Sequence, residues 1–508
     1  MLPPLPQRSR DSPDLPTVQL QTRSPFAVMT TRPLHKFRSG DECEVQIQNL
    51  EYGGQGLGRL CSDGILHDKP VLVPRSAPGD RLRVRIGRVQ SRYVEAEHLE
   101  VLRSGPNRID PVCPHWNEGC GGCSWQHLSY AAQLQAKVTV IRDSLERLGG
   151  FKNLTIDPIV ASDEPWFYRN KMEFTFNARD GLGLHVAGDW RRVIPVTDCR
   201  LESKLAMEIV AVARHFINEH RLSSWDPDTG HGLLHELVIR HGRGSGETMV
   251  GLVTSAEPFP EAQALASAIA LIDESIVSVV HGTRMREQRG SPLESIRVLA
   301  GRKAIIEQIG ELQFHIGLQT FFQTSTAQAE RMLQMVKNQV QTEQSGKTAP
   351  ELILDVFCGV GLFTLALSER AKTVIGIDIV EPSIIAAREN ARLNRIENVV
   401  FYTGDARRAL PDILEHHGKP DSVVLDPPRS GAGGKVIRRL ARAEPQRIVY
   451  VSCNPTTLAT DLKELEPFGY EVSRIQPIDL FPQTYHVETI AIVDRRGDAP
   501  PAAQVRPY

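Results

Sequence analysis

The sequence predicts a multidomain α/β protein, and three observations along the chain lead to that fold class. At about 150 residues per domain, a chain of 508 residues suggests roughly three domains. Short strands separated by glycines come first and indicate a small β-barrel of the oligonucleotide-binding (OB-like) kind. A central α+β stretch follows, and alternating strands and helices then indicate a Rossmann-like parallel sheet covered on both faces. The predicted boundaries are 37–103, 104–330 and 331–496, between disordered ends at 1–36 and 497–508.

The composition excludes several classes of protein. A hydrophobic content of 41% and a charged content of 24% are typical of a globular protein. We find no apolar run of ~18 residues and no apolar core near the start, so we expect no membrane span, no secretory signal and a cytoplasmic location. A net charge of −2 excludes a globally basic nucleic-acid binder, so any RNA contact must come from local patches. Nothing in the sequence indicates an obligate protein partner.

Arginine and aliphatic residues alternate along a predicted strand of the first segment, from Arg81 to Ile86. A period of two places the arginines on one face of the strand and the aliphatic side chains on the other. The arginine face is either an RNA contact or an ordinary solvated surface, and the second is the commoner case for an isolated strand. Tyr93 also has two interpretations, since it either stacks on a base or packs in the core.

Hydrophobic periodicity predicts the elements of the two later segments. Apolar residues at helical spacing predict a helix over Ala131–Leu148 in the central segment. The C-terminal segment contains short apolar strands that alternate with helices. Its predicted strands are Leu352–Val356, Val374–Ile377, Val423–Leu425, Ile448–Val451 and Thr489–Val493, and its predicted helices are Leu362–Leu367, Ser383–Leu393 and one from about Leu458.

A turn typical of a nucleotide-type cofactor site follows the first strand of this sheet. Gly359 and Gly361 allow a tight turn and a close approach of the backbone to a ligand. Asp378 closes the second strand, 23 residues after Asp355, an offset that suits hydrogen bonding to a ribose. A dehydrogenase also fits a glycine pair, but the third glycine of the dinucleotide motif is missing. The sequence therefore favours another nucleotide-type cofactor over nicotinamide.

Three further signals lie at the carboxyl edge of the predicted sheet, where ligands bind in open α/β folds. Asp426–Arg429, with the sequence Asp-Pro-Pro-Arg, ends a strand, although a simple turn explains it equally well. Cys453 follows another strand and precedes a helix, whose dipole is expected to lower the thiol pKa and activate it. Glu488 precedes the last strand and suits a general base, and His486 is the weaker candidate. An inert buried cysteine and an exposed terminal carboxylate are the alternatives.

Four cysteines predict a metal centre. Three crowd into eleven residues, and a large chain without a secretion signal favours metal binding over disulfides. Four thiolates suit either zinc or an iron–sulfur cluster. The spacing differs from the C-x3-C-x2-C pattern of radical-initiating iron–sulfur enzymes. The candidate ligands are Cys113, Cys120, Cys123 and Cys199.

Taken together, these motifs resemble the family of uridine-5-methyltransferases that act on ribosomal and transfer RNA. The resemblance extends over about 37–495. It implies an N-terminal RNA-binding TRAM barrel, a C-terminal class I methyltransferase domain and S-adenosylmethionine as the methyl donor. The matching stretches are Phe321–Gln323, Asp355–Gly361, Asp426–Arg429, Ser452–Pro455 and Phe481–Glu488.

The resemblance also implies roles for individual residues. Cys453 would add to C6 of the uracil, and Glu488 would remove the proton from C5 after methyl transfer. Two positions depart from the family, since Ser325 and Leu362 stand where other members often carry asparagine, which affects details of cofactor contact. The residues implied to line the cofactor and target-base pocket are Gln323, Phe357, Asp378, Asp405 and Asp426.

The cysteine pattern resembles the ribosomal RNA branch of this family, which carries a four-iron cluster. A TRAM domain together with a [4Fe–4S] cluster is most similar to bacterial enzymes that methylate a uridine of 23S rRNA. The resemblance therefore implies a central iron–sulfur domain and 23S rRNA as the partner. Because methyl transfer needs no electron transfer, the cluster is expected to have a structural or RNA-shaping role.

Three other functions are compatible with parts of the sequence. An RNA methyltransferase acting on an exocyclic amine also uses an Asp-Pro-Pro motif but needs no nucleophilic cysteine. A non-catalytic assembly factor with a vestigial methyltransferase fold would not need intact Cys453 and Glu488. An iron–sulfur redox protein would need neither of the motifs that contain these two residues. Cys453 and Glu488 therefore discriminate among the functions.

Overall fold

The computed structural model describes residues 38–62, 65–284, 293–340 and 350–497. The disordered ends predicted at 1–36 and 497–508 lie outside the described residues, except for Gly497. Within the described ranges, no helix has the length and apolar character that crossing a membrane requires.

The N-terminal part is a closed barrel of five strands. Its strand order is β1-β2-β3-β5-β4, and the aliphatic face of β4 points inward, with Leu82, Val84 and Ile86 at most 1% exposed. The predicted alternation is therefore confirmed, since the same period of two that fills the core directs the arginines outward. The strands are β1 (Glu42–Leu50), β2 (Gly56–Ser62), β3 (Ile65–Val73), β4 (Arg81–Val89) and β5 (Val94–Arg103).

The central part contains a seven-stranded mixed sheet in the order β12-β11-β10-β9-β6-β7-β8, with two helices packed against it. Strands β10 and β11 run parallel and are joined through a helix. The strands are β6 (Lys171–Asn177), β7 (Gly181–Val186), β8 (Asp189–Ile194), β9 (Leu234–Gly242), β10 (Glu247–Ser255), β11 (Ile276–Arg284) and β12 (Ser295–Gly301). The helices of this part of the chain are α1 (Tyr130–Ser144), α2 (Lys204–Glu219) and α3 (Ala262–Ala270).

A two-stranded hairpin and a helix connect the central sheet to the C-terminal sheet. They are β13 (Ile305–Ile309), β14 (Leu312–Ile316) and α4 (Thr326–Gln339). Their apolar side chains, among them Phe314 and Met332, share one core cluster with the C-terminal sheet.

The C-terminal sheet has seven strands in the order β17-β16-β15-β18-β19-β21-β20. The first five run parallel, and β21 is antiparallel to β19. The strand order reverses between β15 and β18, which creates a crevice at their carboxyl ends. The strands are β15 (Leu352–Val356), β16 (Thr373–Asp378), β17 (Val399–Thr403), β18 (Ser422–Leu425), β19 (Arg447–Ser452), β20 (Tyr470–Ile478) and β21 (Glu488–Arg495).

Helices cover both faces of this sheet, as the alternation of strands and helices predicted. Leu354 packs in one core cluster with α1 and α7–α9, whereas Ile353 packs in the other with α4–α6. The helices are α5 (Leu362–Ala366), α6 (Glu381–Leu393), α7 (Ala406–His417), α8 (Gly434–Arg442) and α9 (Pro455–Lys463).

Helix α1 packs on the C-terminal sheet, although it precedes the central sheet in the chain. Its residue Ile141, followed by Leu145 and Phe151, belongs to the same core cluster as the C-terminal strands. The chain then runs parallel to β20, with bridges from Ile156 to Ile475 and from Val160 to Ile478. The central segment therefore contributes part of the C-terminal core.

A buried ion pair joins α1 to the loop that precedes β21. Lys137 Nζ lies 2.5 Å from Asp479 Oδ1, and both side chains are 0% exposed. Lys137 also donates to the carbonyl of Phe481 at 3.0 Å, and Tyr130 Oη donates to Asp479 Oδ2 at 2.9 Å. These partners compensate the cost of burying two charges and fix the start of the loop.

We expect Lys137→Met to destabilise the protein by about 3–5 kcal/mol, because it leaves Asp479 as a buried charge without its ionic partner. Urea unfolding followed by circular dichroism measures the loss. Arg147→Met is the control, since Arg147 forms an exposed pair with Asp143 and is expected to have little effect. Equal effects of the two substitutions would contradict this role of the buried pair.

Candidate functional site

Strands β18, β19 and β21 bring three acidic groups to one edge of the sheet. Ser452 pairs with Thr489 at the end of the antiparallel ladder, so the next residues, Cys453 and Glu488, lie at the same end of the two strands. Residues in such a pair have Cβ atoms about 4.5–5.5 Å apart. Asp426 follows β18, which runs parallel to β19 on its other side. The predicted residues Cys453, Glu488 and Asp426 are thus neighbours.

The turn that carries Cys453 is tied to the Asp-Pro-Pro-Arg turn. Asn454 caps α9 by accepting a hydrogen bond from the backbone N–H of Thr456 at 3.0 Å. Its amide group donates to the carbonyl of Arg429 at 2.9 Å. Helix α9 therefore begins at Pro455, three residues before the predicted start, because proline suits the first turn of a helix.

The structure corrects the expected activation of Cys453. Burial raises the pKa of this thiol to about 12, and the carboxyl groups of Glu488 and Asp426 contribute to the rise. Arg429 acts in the opposite direction but does not offset them. Desolvation and like charges outweigh the dipole of α9, so the thiol is protonated at neutral pH.

The neighbouring carboxyl groups also retain protons. Burial raises the pKa of Glu488 well above its ordinary value, and Asp426 adds to this effect. Burial raises the pKa of Asp426 to about 7. Glu488 is 4% exposed, which contradicts the alternative of a solvated charge at the end of a strand. Strongly perturbed acids in a crevice are typical of a catalytic site.

A cavity of about 1070 Å³, including space open to solvent, lies at the carboxyl ends of β15 and β16 and is lined by Phe357, Asp378 and Asp405. Phe357 adopts a left-handed backbone conformation, with φ of 70°. The Asp378 carboxylate accepts hydrogen bonds from the backbone N–H groups of Gly359 at 3.0 Å and Val380 at 2.8 Å. The predicted glycine turn is therefore hydrogen-bonded to Asp378, the acidic residue that lines the cavity.

Asp405 lies at the start of α7, beside the same cavity. Hydrogen bonds from the side chain and backbone of Arg407 lower its pKa to about 2, so this carboxylate is ionised. The cavity wall continues to Pro428, directly after the predicted residue Asp426 and its proline. Gln323 is buried before α4, and its carbonyl accepts a hydrogen bond from the side chain of Asn170 at 2.8 Å. Neither Gln323 nor Asp426 is among the described residues that line the cavity.

Comparison with known proteins identifies the family. A model of the tRNA (Uracil-5-)-methyltransferase family matches residues 303–496, and a TRAM domain model matches residues 36–99. An uncharacterized RNA methyltransferase of Chlorobaculum tepidum is 36% identical over 481 residues, which cover 91% of this chain and 98% of that protein. Another from Halalkalibacterium halodurans is 33% identical over 461 residues, which cover 90% and 98%. The chain belongs to the RNA methyltransferase family.

A solved structure extends this likeness to the whole fold. The methyltransferase is similar to Pyrococcus abyssi tRNA (uracil-54, C5)-methyltransferase in complex with S-adenosyl-L-homocysteine, with a TM-score of 0.70 and 29% identity. The match covers 89% of this chain and 100% of that one. The predicted TRAM barrel, C-terminal methyltransferase domain, S-adenosylmethionine dependence and RNA substrate are therefore confirmed.

The four predicted metal-ligating cysteines of the methyltransferase line one small cavity. Its walls also include Trp116 and Leu184. Burial raises the pKa of the Cys123 and Cys199 thiols to about 12, and the neighbouring thiols of the set add to this rise. Across the described residues, no three His, Cys, Asp or Glu side chains are grouped tightly enough to form a ready-made metal site. The cysteines Cys113, Cys120, Cys123 and Cys199 thus converge on one cavity without forming a preformed metal site.

The arginine face of the barrel carries its own counter-charges. Arg81 pairs with Glu44 at 2.6 Å, Arg83 with Glu100 at 2.8 Å, and Arg85 with Glu42 and Glu97 at 3.0 and 3.2 Å. The acidic partners come from the adjacent strands β1 and β5. These contacts favour the interpretation of this face as a solvated surface.

Sequence reasoning assigned no role to two residues of the methyltransferase that the structure places near the site. Asp355 is fully buried in β15, accepts a hydrogen bond from Thr364 Oγ1 at 2.5 Å, and has its pKa raised to about 7 by burial. Tyr52, from the turn between β1 and β2, reaches the carbonyl of Cys453. The position of Asp355 just before the glycine turn was a sequence signal that it lies near the cofactor site. The glycines that follow Tyr52 indicate only a turn and give no signal that Tyr52 lies near Cys453.

We expect substitution of Arg81, Arg83 and Arg85 by glutamine to leave the salt dependence of RNA binding nearly unchanged, because each arginine is already paired. The slope of log Kd against log salt is expected to change by less than about one. Filter binding of RNA between low and moderate salt measures it. Three direct phosphate contacts would instead lower the slope by roughly two to three.

Proposed function

We propose that this protein transfers a methyl group from S-adenosylmethionine to C5 of a uridine in RNA. The observation that carries the proposal is that Cys453 and Glu488 lie together at the end of β19 and β21, directly after the Ser452–Thr489 pair, with Glu488 close enough to raise the pKa of the thiol. The similarity to a C5-methyltransferase of tRNA uracil and to the uracil-5 family model supports this reaction.

Cys453 acts as the nucleophile in the proposed reaction. Its sulfur adds to C6 of the uracil, and the electrons of the C5–C6 double bond make C5 a carbon nucleophile. S-adenosylmethionine supplies an electrophilic methyl group. The thiol must first lose its proton, and the ionised carboxylate of Asp426 is a suitable acceptor, which leaves Glu488 free to accept the C5 proton later. Covalent addition thus divides one difficult substitution into easier steps.

Glu488 acts as the base after methyl transfer. C5 then carries both a methyl group and a proton, and Glu488 accepts this proton while the bond between Cys453 and C6 breaks. The position of Glu488 beside Cys453 at the same strand ends supports this role. Its burial strengthens it as a base, because an ionised carboxylate in a low-dielectric site has a high proton affinity.

We further propose that five residues hold the cofactor and the target base. Asp378 accepts hydrogen bonds from the ribose hydroxyls, and Phe357 forms the cavity wall beside it. The two departures from the family pattern, at Ser325 and Leu362, do not affect Asp378 or Phe357. The proposed set is Gln323, Phe357, Asp378, Asp405 and Asp426, of which Phe357, Asp378 and Asp405 line the described cavity.

We expect Glu488→Gln to stop the reaction after methyl transfer, because glutamine keeps the shape of the side chain but cannot accept the C5 proton. RNA should then stay covalently attached, and a denaturing gel should show a shifted band that depends on S-adenosylmethionine. Cys453→Ser is the control and should give neither product nor band, since a hydroxyl ionises far less readily than a thiol. Wild-type turnover by Glu488→Gln would mean that another base acts, with His486 as the nearest candidate in the sequence.

We propose 23S rRNA as the substrate, since the TRAM barrel and the cysteine set resemble the ribosomal RNA branch. The similarity to an enzyme named for uracil 54 of tRNA favours tRNA as the second candidate. Loss of the gene should remove a 5-methyluridine from 23S rRNA and leave tRNA unchanged. Mass spectrometry of nuclease digests of both RNAs distinguishes the two, and loss in tRNA alone would overturn the ribosomal assignment.

We propose that Cys113, Cys120, Cys123 and Cys199 hold a [4Fe–4S] cluster in an iron–sulfur domain. The donor set fits, because four thiols converge on one cavity and thiolates are the ligands of such clusters. Zinc fits the same donor set and is the alternative. The proposed division of the chain remains 37–103, 104–330 and 331–496, with α1 packed on the last domain.

We expect protein purified without oxygen to contain about four iron atoms per chain and to be brown. Cys120→Ser should lower both the iron content and the unfolding temperature, because metal-binding energy is also folding energy. Cys43→Ser, at a half-buried cysteine of the barrel, is the control. Stoichiometric zinc without iron would contradict the cluster.

A further inference from the structure

The turn between β1 and β2 reaches the methyl-transfer site, although it belongs to the N-terminal barrel. Tyr52 Oη makes a long hydrogen bond of 3.4 Å to the carbonyl oxygen of Cys453, 401 positions later in the chain. The Tyr52 side chain is half-buried. A residue of the RNA-binding barrel therefore lies beside the proposed nucleophile.

Close packing fixes this turn against the loop that precedes Glu488. The rings of Tyr52 and Tyr485 lie perpendicular, with centroids 5.8 Å apart. Gly54 accepts a hydrogen bond from Trp125 Nε1 at 3.0 Å, and a Cβ atom at Gly54 would lie 2.8 Å from Tyr485 Cδ1. Only glycine permits this approach, so the barrel is seated on the loop by a close steric fit.

The surroundings keep Tyr52 a neutral aromatic residue. Burial raises the pKa of its phenol to about 12, and Cys453 and Tyr485 contribute to the rise. Arg429 and Glu488 also act on the phenol, which shows that the ring lies among the residues of the proposed site. A neutral phenol does not compete with Glu488 for the proton of the substrate.

We propose that Tyr52 positions the target uridine. In this proposal the Tyr52 ring forms one wall of the space that the uracil enters beside Cys453. This inference rests on the proposed function. A uridine that flips out of the RNA helix loses its stacking on the neighbouring bases. Stacking on the Tyr52 ring would replace part of that lost contact. The barrel thus forms part of the base pocket as well as contacting RNA. Methyl transfer therefore depends on the contact between the β1–β2 turn of the barrel and the loop that contains Tyr485.

The test compares Tyr52→Ala with Tyr52→Phe in the full-length protein. The methyl acceptor is total RNA from cells that lack the protein, with labelled S-adenosylmethionine as donor. Tyr52→Ala should lower kcat at least about tenfold, the rate equivalent of losing one base–aromatic stack. The KM for S-adenosylmethionine should stay within about twofold, because the cofactor cavity is unchanged. Tyr52→Phe keeps the ring and should stay within about threefold of wild type.

Two glycine substitutions test separately whether the contact between the barrel turn and Tyr485 is needed. Gly54→Ala should lower kcat with Tyr52 still present, because the new methyl group pushes the turn off Tyr485. Gly181→Ala is the matched control, since Gly181 has the same φ of 85° but nothing within 4 Å of its added Cβ. Both substitutions introduce the same backbone strain, so a loss confined to Gly54→Ala reports the contact with Tyr485.

Several outcomes would overturn the inference. Wild-type kcat in Tyr52→Ala would show that the ring is no part of the base pocket. Equal losses in Tyr52→Ala and Tyr52→Phe would assign the effect to the hydroxyl rather than to the ring. A parallel loss of S-adenosylmethionine binding or of thermal stability in Tyr52→Ala would make its role structural. Full activity of Cys453→Ser would refute the proposed nucleophile instead, so the two hypotheses fail on different variants.

Discussion

The loop from Asp479 to Glu488 joins the three parts of the protein, because α1, the segment after the cysteine pair and the turn between β1 and β2 each contact it. Helix α1 binds its first residue through the buried Lys137–Asp479 pair. The segment after the cysteine pair donates two backbone hydrogen bonds, from Ser124 and Trp125, to the carbonyl of Gln483, each at 3.0 Å. Gln483 itself adopts a left-handed φ of 67°, a conformation that persists only when the surroundings determine it.

These contacts give the cysteine set a physical connection to the chemistry. Cys123 directly precedes Ser124 and Trp125, the two residues that hold the loop, and Cys120 lies three residues before Cys123. The hairpin of β7 and β8 fixes the same segment from the other side, with Gly121 N–H donating to the carbonyl of His185 at 2.8 Å. A metal bound by the four thiols would rigidify this segment, and the loop that ends at Glu488 would be held more firmly. A structural role for the cluster is thus compatible with a reaction that transfers no electrons.

The electrostatics of the site follow from placing several acids at one sheet edge. Asp355 and Glu488 are buried, Asp426 is half-buried, and each of the three has a raised pKa. The thiol of Cys453 shares their surroundings and is also protonated at rest. Protonation of Glu488 and of the Cys453 thiol removes two charges from the resting site, which lowers the cost of burying these groups. A methyl donor with a positive sulfonium centre would favour their ionisation, so catalytic power would develop when the cofactor binds.

Sequence patterns predicted the N-terminal barrel, the C-terminal methyltransferase domain, five of the seven strands of its sheet and the placement of Cys453, Glu488 and Asp378 at strand ends, but not β17 or β20. Periodicity and motifs at strand ends are local, and a parallel sheet necessarily gathers its carboxyl ends at one edge. Only the tertiary structure decided that α1 covers the C-terminal sheet, that glutamates neutralise the arginines of β4, and that the Cys453 pKa rises. Tyr52 belongs to this second group, because its contact joins residues 401 positions apart. Contacts between distant segments and the burial of charges depend on how domains pack, and no local pattern in the sequence encodes that packing.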